Sequence, residues 1–171
     1  MPHYDVAVVG ASISGCAAAI IFGRKGARVA LVERAQDPAA YKKICTHYIQ
    51  PSATPTIERL GSCDRDRNGG RPAQRGGAIY AMGLGRSPPT PLIGRPAYGY
   101  GIRRQMLDPI VRRTAVATSG VDFMPGFSAR ELLINDDRIN GVLAEGSDGL
   151  QRTMEAGFVV GADAANHGSQ N

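Results

Sequence analysis

The chain has 171 residues, of which 43% are hydrophobic, and this is enough to bury the core of one globular domain. No apolar run is long enough to cross a bilayer, and the sequence enters a strand without a leader, so we expect a cytoplasmic protein with no membrane span. The net charge is +5, but the arginines are scattered and no aromatic platform accompanies them, which argues against nucleic acid as a partner.

The first stretch of the chain predicts a strand–turn–helix–strand unit. Asp5–Val9 is a short apolar run of strand type, and it ends at Gly10–Gly15, which has the sequence GASISG. Cys16–Phe22 predicts a buried helix, with Gly26 where a C-terminal capping glycine belongs. Arg28–Val32 predicts a second buried strand.

This unit has the residues that a dinucleotide-binding turn requires. Gly10 permits the sharp turn out of the strand, the small residue Ser12 lets the backbone approach a pyrophosphate, and Gly15 lets the helix pack closely on the strand. The helix N-terminus offers N–H groups and a partial positive charge to the phosphates. Glu33, at the end of the second strand, is placed to accept hydrogen bonds from ribose hydroxyls. An ordinary βαβ unit with a glycine-rich turn is the alternative, but the strand, the helix and the acid together favour dinucleotide binding.

The cysteines and the mid-chain histidine carry no catalytic signature. Cys16, Cys45 and Cys63 lack metal-ligand spacing, and we interpret them as free thiols in a reducing compartment, with Cys16 a small core residue. His47 is given no catalytic role, because no partner Ser, Cys or metal-ligand set accompanies it. A short helix is predicted to end at Gly61.

Residues 61–95 are rich in Gly, Pro and Arg, and they keep neither the helical nor the strand periodicity. We predict an irregular insert or a long, poorly ordered loop. A shifted reading frame in a GC-rich gene would give the same composition, and reading the DNA in all frames distinguishes the two explanations.

The C-terminal part predicts a helix followed by an antiparallel meander. In the helix, Gln105–Thr118, positions 107, 110, 111, 114 and 115 predict one buried face, and Pro109 is placed in the first turn, where it is tolerated. Three strands, at 128–135, 138–145 and 150–160, are separated by turn residues. The last strand ends in the turn Gly161–Asp163.

Three segments of the chain stand in a recognisable order: Gly10–Gly15 with Glu33, the helix start Arg103–Asp108, and Gly161–Asp163. Together they resemble the FAD-binding domain of flavoprotein monooxygenases of the aromatic-hydroxylase type, a plan shared with geranylgeranyl reductases and flavin-dependent halogenases. The resemblance covers residues 4–60 and 98–165. It implies an α/β, Rossmann-like FAD/NAD(P)-binding domain with a parallel sheet, crossover helices and an antiparallel β-meander.

The resemblance also implies contacts with FAD, residue by residue. The turn residues that would line the pyrophosphate are Gly10, Ala11, Ser12, Ser14 and Gly15. Glu33 would bind the adenosine ribose, and Arg34 would lie by the adenine end. Arg104, with Arg103 beside it, would contact the ribityl or phosphate region. Asp163 would contact the pyrophosphate or the ribityl chain. No metal ligand and no catalytic side chain is implied.

The chain departs from the family pattern near its C-terminus. Ala164 stands where the family turn has its second glycine, and the sequence stops at Asn171, before the family's next flavin motif and its substrate domain. We therefore expect residues 1–171 to form a partial FAD-binding domain, incomplete at the C-terminus, without the substrate domain and inactive on its own.

The activity that the resemblance implies is that of an FAD-dependent oxidoreductase. We expect a monooxygenase that takes electrons from NAD(P)H and hydroxylates a small organic molecule. One alternative is a saturating flavoenzyme of the geranylgeranyl-reductase type, and another is a non-catalytic nucleotide-binding fragment. The sequence leaves these alternatives and the oligomeric state open.

Overall fold

A computed structural model describes residues 3–45, 48–61 and 100–163. The chain divides into two compact units, Met1–Tyr41 with Asp108–Asn171, and Lys42–Leu107. Of the predicted insert at 61–95, residues 62–95 lie outside the described residues, as do His47, Cys63 and Ala164.

The first unit begins with the predicted βαβ arrangement. β1 (His3–Val9) leads through the glycine-rich turn into α1 (Ile13–Arg24), which returns the chain to β2 (Val29–Glu33). β1 and β2 are parallel, and α1 packs against both strands. Gly26, with φ +86°, follows the C-cap of α1, which confirms the predicted capping glycine.

The prediction that α1 is buried holds for only one of its faces. Cys16, Ala19 and Ile20 are fully buried, whereas Ile21 and Phe22 are exposed. Because Cys16–Phe22 is apolar throughout, it shows no 3.6-residue alternation of apolar and polar side chains. The sequence alone therefore does not indicate which face of α1 is exposed.

Among the described residues, six strands form one sheet in the order β5-β2-β1-β8-β7-β6. β5 is Val121–Pro125, and the strands of the predicted meander are β6 (Phe127–Asn135), β7 (Arg138–Gly146) and β8 (Gln151–Gly161). β8 pairs antiparallel with β7 and parallel with β1, so one strand joins the meander to the βαβ unit. This mixed α/β sheet confirms the predicted fold class.

β5 was not predicted. It is short, contains an acid and ends in proline, and none of its side chains is fully buried, so it has no strong strand pattern. It becomes a strand by pairing in parallel with β2, from Val29 opposite Val121 to Glu33 opposite Pro125.

One side of the sheet is covered by the meander itself. A cluster of buried side chains fills this core: Tyr4, Ala7, Ala30, Val32, Val142, Ala144, Met154 and Ala156. Phe127 and Ala129 of β6 pack against the cluster, and β6 also contacts β2, so the meander helps to enclose this core.

The helix after the described gap, α3, spans Arg104–Val116. Leu107, Val111 and Ala115 are fully buried, in agreement with the predicted face. The placement of Pro109 in the first turn was wrong. Because α3 begins at Arg104, Pro109 lies in its second turn, where it removes an N–H that would have bonded to the carbonyl four residues earlier.

In the second unit, β3 (Tyr48–Ile49) pairs antiparallel with β4 (Tyr100–Gly101). A 3-10 turn at Pro51–Ala53 leads into α2 (Thr54–Arg59), and Gly61, with φ +72°, follows this helix as predicted. No helix within the described residues is long and apolar enough to cross a membrane.

Candidate dinucleotide site

The glycine-rich turn lies where the ends of β1 and β8 meet. Gly10 has φ +98°, and a Cβ at this position would lie 2.7 Å from the backbone nitrogen of Asp163. The N–H of Ala162 donates to the carbonyl of Val9 at 2.8 Å, which holds the two strand ends together. Only glycine fits this turn, and the fold brings Asp163 beside it.

Gly15 is required by a second close approach. A Cβ at Gly15 would overlap the carbonyl oxygen of Gly10 and would lie 3.2 Å from the Cβ of Ala162. The N–H of Cys16 donates to the carbonyl of Ser12 at 2.9 Å, which closes the first turn of α1. The first turn of α1 contains no acidic residue, so its positive dipole end is not neutralised by its own sequence.

Glu33 is bonded to the turn through its carboxylate. Oε2 accepts the N–H of Ala11 at 2.7 Å, and Oε1 accepts the N–H of Ala35 at 2.9 Å. A carboxylate oxygen has two lone pairs, so these bonds leave acceptor capacity for ribose hydroxyls. Glu33 therefore stabilises the turn in addition to the ribose contact that the sequence predicted.

Arg112, on α3, is a site residue that the sequence reasoning missed. Its side chain is buried, its Nε donates to the carbonyl of Ala11 at 3.1 Å, and its Nη1 donates to the carbonyls of Pro38 at 2.6 Å and Ala40 at 2.8 Å. Asp108, one turn earlier on α3, is buried as well, but the sequence around Arg112 carried no signal that this arginine is buried.

The remaining predicted residues are divided between the two units. In the first unit, Ser14, Arg34 and Asp163 are exposed and Ser12 is half-buried. In the second unit, Arg103 is exposed, and Arg104 is buried with Nη1 3.7 Å from the sulfur of Cys45. The structure thus brings together the glycine-rich turn, Glu33 and Asp163 within one unit, while the arginine pair belongs to the other.

Two cavities in the first unit differ in their relation to the turn. A groove of about 710 Å³ lies at the C-terminal ends of α1 and α3, lined in part by Gly26 and Arg113, and it is at the opposite end of α1 from the turn. A smaller cavity of about 290 Å³ is lined by Val9, Gly161 and Asp163 together with residues of the meander. The N-terminus of α1 and the close approaches at Gly10 and Gly15 lie at the turn, whereas the larger groove, whose lining includes the closely packed Gly23, lies at the C-terminal end of α1.

Cys16 lies directly behind the turn, and its thiol donates to the carbonyl of Ala11 at 3.2 Å. Burial raises the pKa of the Cys16 thiol to about 12, against the opposing effect of the Arg112 guanidinium. We expect Cys16 to resist iodoacetamide near pH 8 in the folded protein and to react in urea, since the thiolate is the reactive form. Peptide mass spectrometry of the labelled cysteine measures this, and native labelling as fast as in urea would contradict it.

The same shift in pKa gives a pH dependence of stability. Between about pH 9 and pH 12 the folded thiol keeps its proton, whereas the unfolded thiol, with its ordinary pKa of 9.0, has lost it. The contribution of Cys16 to stability is therefore present below about pH 9 and is lost as the pH rises towards about 12.

The βαβ unit, the close-packed turn and the acid at the end of β2 define a Rossmann-like nucleotide-binding domain. A family model described as FAD binding domain matches residues 3–169, and the chain belongs to this family of FAD-binding domains. The predicted family resemblance is thereby confirmed.

Solved structures and a curated protein are similar to parts of the chain. The myxobacterial chondrochloren halogenase CndH, an FAD-dependent halogenase, matches with a TM-score of 0.73 and 24% identity over 94% of this chain and 37% of its own. The anhydrotetracycline hydroxylase OxyS from Streptomyces rimosus matches with a TM-score of 0.74 and 20% identity over 95% and 32%. A squalene epoxidase from Aspergillus fumigatus is 36% identical over 63 residues, which are 36% of this chain and 12% of that protein. The chain therefore spans well under half the length of these proteins.

Proposed function

We propose that this protein is an FAD-dependent monooxygenase that uses NAD(P)H to oxygenate a small organic molecule. The observation that carries the proposal is the glycine-rich turn, in which Gly10 and Gly15 leave no room for a Cβ. The turn is hydrogen-bonded to the carboxylate of Glu33 at the end of β2, and the chain belongs to the FAD-binding family. The names of a hydroxylase and an epoxidase among the similar proteins support oxygen insertion as the reaction type.

The residues of the first unit fit the adenosine and pyrophosphate part of FAD. The turn around Ser12 and Ser14 presents the N-terminus of α1 to the two phosphates, and a close approach is possible because Gly10 and Gly15 have no side chains. The half-buried carboxylate of Glu33 is fixed by backbone N–H groups and retains lone pairs for the ribose hydroxyls.

Further contacts belong to the proposal as well. Asp163, exposed beside the turn, would accept hydrogen bonds from the ribityl hydroxyls, and Arg34 would lie by the adenine. Arg103 and Arg104 would neutralise phosphate charge. FAD, when bound, supplies the electron transfer and the activation of oxygen, and the chain's own residues bind and orient it. The buried, reduced thiol of Cys16 supports a reducing, cytoplasmic setting.

Ligand titration of the purified protein tests the cofactor assignment. We expect FAD and ADP to bind, because both carry the adenosine pyrophosphate that the turn fits, and riboflavin to bind far more weakly. NAD⁺ is the competing dinucleotide. Calorimetric titration that gives tighter binding of NAD⁺ than of FAD would contradict the assignment.

Isotope labelling tests the reaction. With NADH or NADPH as donor and ¹⁸O₂ as oxidant, small molecules that acquire one ¹⁸O atom in a cell extract support a monooxygenase. Products that gain two hydrogens without oxygen would replace the proposal with the saturating reductase. A protein that binds FAD but changes no small molecule would fit both the non-catalytic alternative and the expected inactivity of residues 1–171 on their own.

A further inference from the structure

Arg112, on α3, is bonded to the glycine-rich turn through the carbonyl of Ala11. It is 4% exposed, and its guanidinium donates to the carbonyls of Ala11, Pro38 and Ala40. A buried guanidinium is costly unless its N–H groups are paired, so its bonds to three carbonyls are the condition for its burial. One side chain of α3 thereby joins the turn after β1 to the loop after β2.

The bonds at Ala11 fix the orientation of two peptide planes. The N–H of Ala11 donates to Glu33, while its carbonyl accepts from Arg112 and from the thiol of Cys16. In a trans peptide the carbonyl and the following N–H point in opposite directions. Holding the Ala11 carbonyl towards Arg112 therefore directs the N–H of Ser12 the other way.

The loop after β2 is held in the same manner. The carbonyls of Pro38 and Ala40 both accept from Nη1 of Arg112, and the loop is closed on itself by the N–H of Ala40, which donates to the carbonyl of Asp37 at 3.0 Å. This loop begins four residues after Glu33, the acid of the proposed ribose contact, and Glu33 accepts the N–H of the intervening Ala35.

We infer that Arg112 is a positioning residue of the dinucleotide site: it contacts no ligand, but it orients the Ala11–Ser12 peptide and the loop 37–40 for an adenosine pyrophosphate. The inference rests on the proposed FAD function. Lysine does not replace arginine here, because a single ammonium lacks the planar fork that reaches separate carbonyls.

The test compares Arg112→Gln and Arg112→Lys with Arg113→Gln, the exposed arginine next to it on α3. Calorimetric titration with FAD and with ADP gives the affinities, and circular dichroism gives the melting temperature of each variant. Both Arg112 variants are expected to bind FAD and ADP at least about tenfold more weakly, while Arg113→Gln binds both as the wild type does.

Chemical rescue separates positioning from general stability. In Arg112→Ala, added methylguanidinium is expected to restore part of the FAD affinity, and methylammonium at the same concentration is not. Unchanged affinity in a folded Arg112→Gln, an equal loss in Arg113→Gln, or unfolding of every Arg112 variant would overturn the inference. A wild-type protein that binds neither FAD nor ADP would instead refute the proposed function.

Discussion

Replacing Gly15 with valine is expected to abolish FAD binding and to destabilise the fold by about 3 kcal/mol or more. The reason is geometric: the Cβ alone would overlap the carbonyl oxygen of Gly10, which is backbone and has no other rotamer to adopt. The N-terminus of α1 would have to move away from β1. The phosphates would then lose the N–H groups that the turn presents.

Because the Cβ itself makes the collision, Gly15→Ala is expected to be nearly as damaging as Gly15→Val. Phe22→Val, on the exposed side of the same helix, introduces the same β-branched residue without the collision and should retain FAD. FAD titration and thermal melts measure both effects. A Gly15→Ala protein that binds FAD as the wild type does would show that the turn is not the phosphate site.

The nucleotide-binding unit was predictable because its signals are local. The alternation of apolar run, glycine turn and helix fits within Asp5–Glu33. The steric demand at Gly10, by contrast, comes from Ala162 and Asp163 at the far end of the chain, and only the structure shows it. The meander was predictable for a similar reason, since turn residues separate β6, β7 and β8.

The elements that the sequence did not reveal depend on distant partners. β5 is a strand because it pairs with the edge of β2, and the residues Val121–Pro125 themselves do not indicate this pairing. Arg112 is buried because the carbonyls of Ala11, Pro38 and Ala40 converge on it from residues more than 70 positions away. On a helix with several arginines, the local sequence around a buried arginine does not differ from that around a solvated one. Only the structure therefore shows that Arg112 is buried.

For Glu33, the sequence predicted one role and only the structure showed the other. Its position at the end of β2 predicted an acid beside a ribose, but its bonds to the N–H groups of Ala11 and Ala35 required the structure. These bonds change what removal of the side chain should do. Glu33→Ala leaves two part-buried N–H donors without their acceptor and also removes the proposed ribose contact.

We therefore expect Glu33→Ala to weaken FAD binding by roughly tenfold to a hundredfold, which corresponds to about 1.5–3 kcal/mol for hydrogen bonds to a charged group. Calorimetric titration measures the change. The matched control is Glu155→Ala, an exposed acid on β8, which should leave the affinity unchanged. Wild-type affinity in a folded Glu33→Ala protein would remove Glu33 from the site.

A double-mutant cycle with modified ligands separates the two roles of Glu33. ADP is compared with 2′-deoxy-ADP and 3′-deoxy-ADP, on the wild type and on Glu33→Ala. If the carboxylate accepts from a ribose hydroxyl, the wild type discriminates against one of the deoxy ligands and the variant does not. If Glu33 only stabilises the turn, both proteins discriminate equally, and the variant binds all three ligands more weakly by the same factor. We expect the first pattern, because the bonds to Ala11 and Ala35 hold the carboxylate in place while leaving a lone pair on each oxygen.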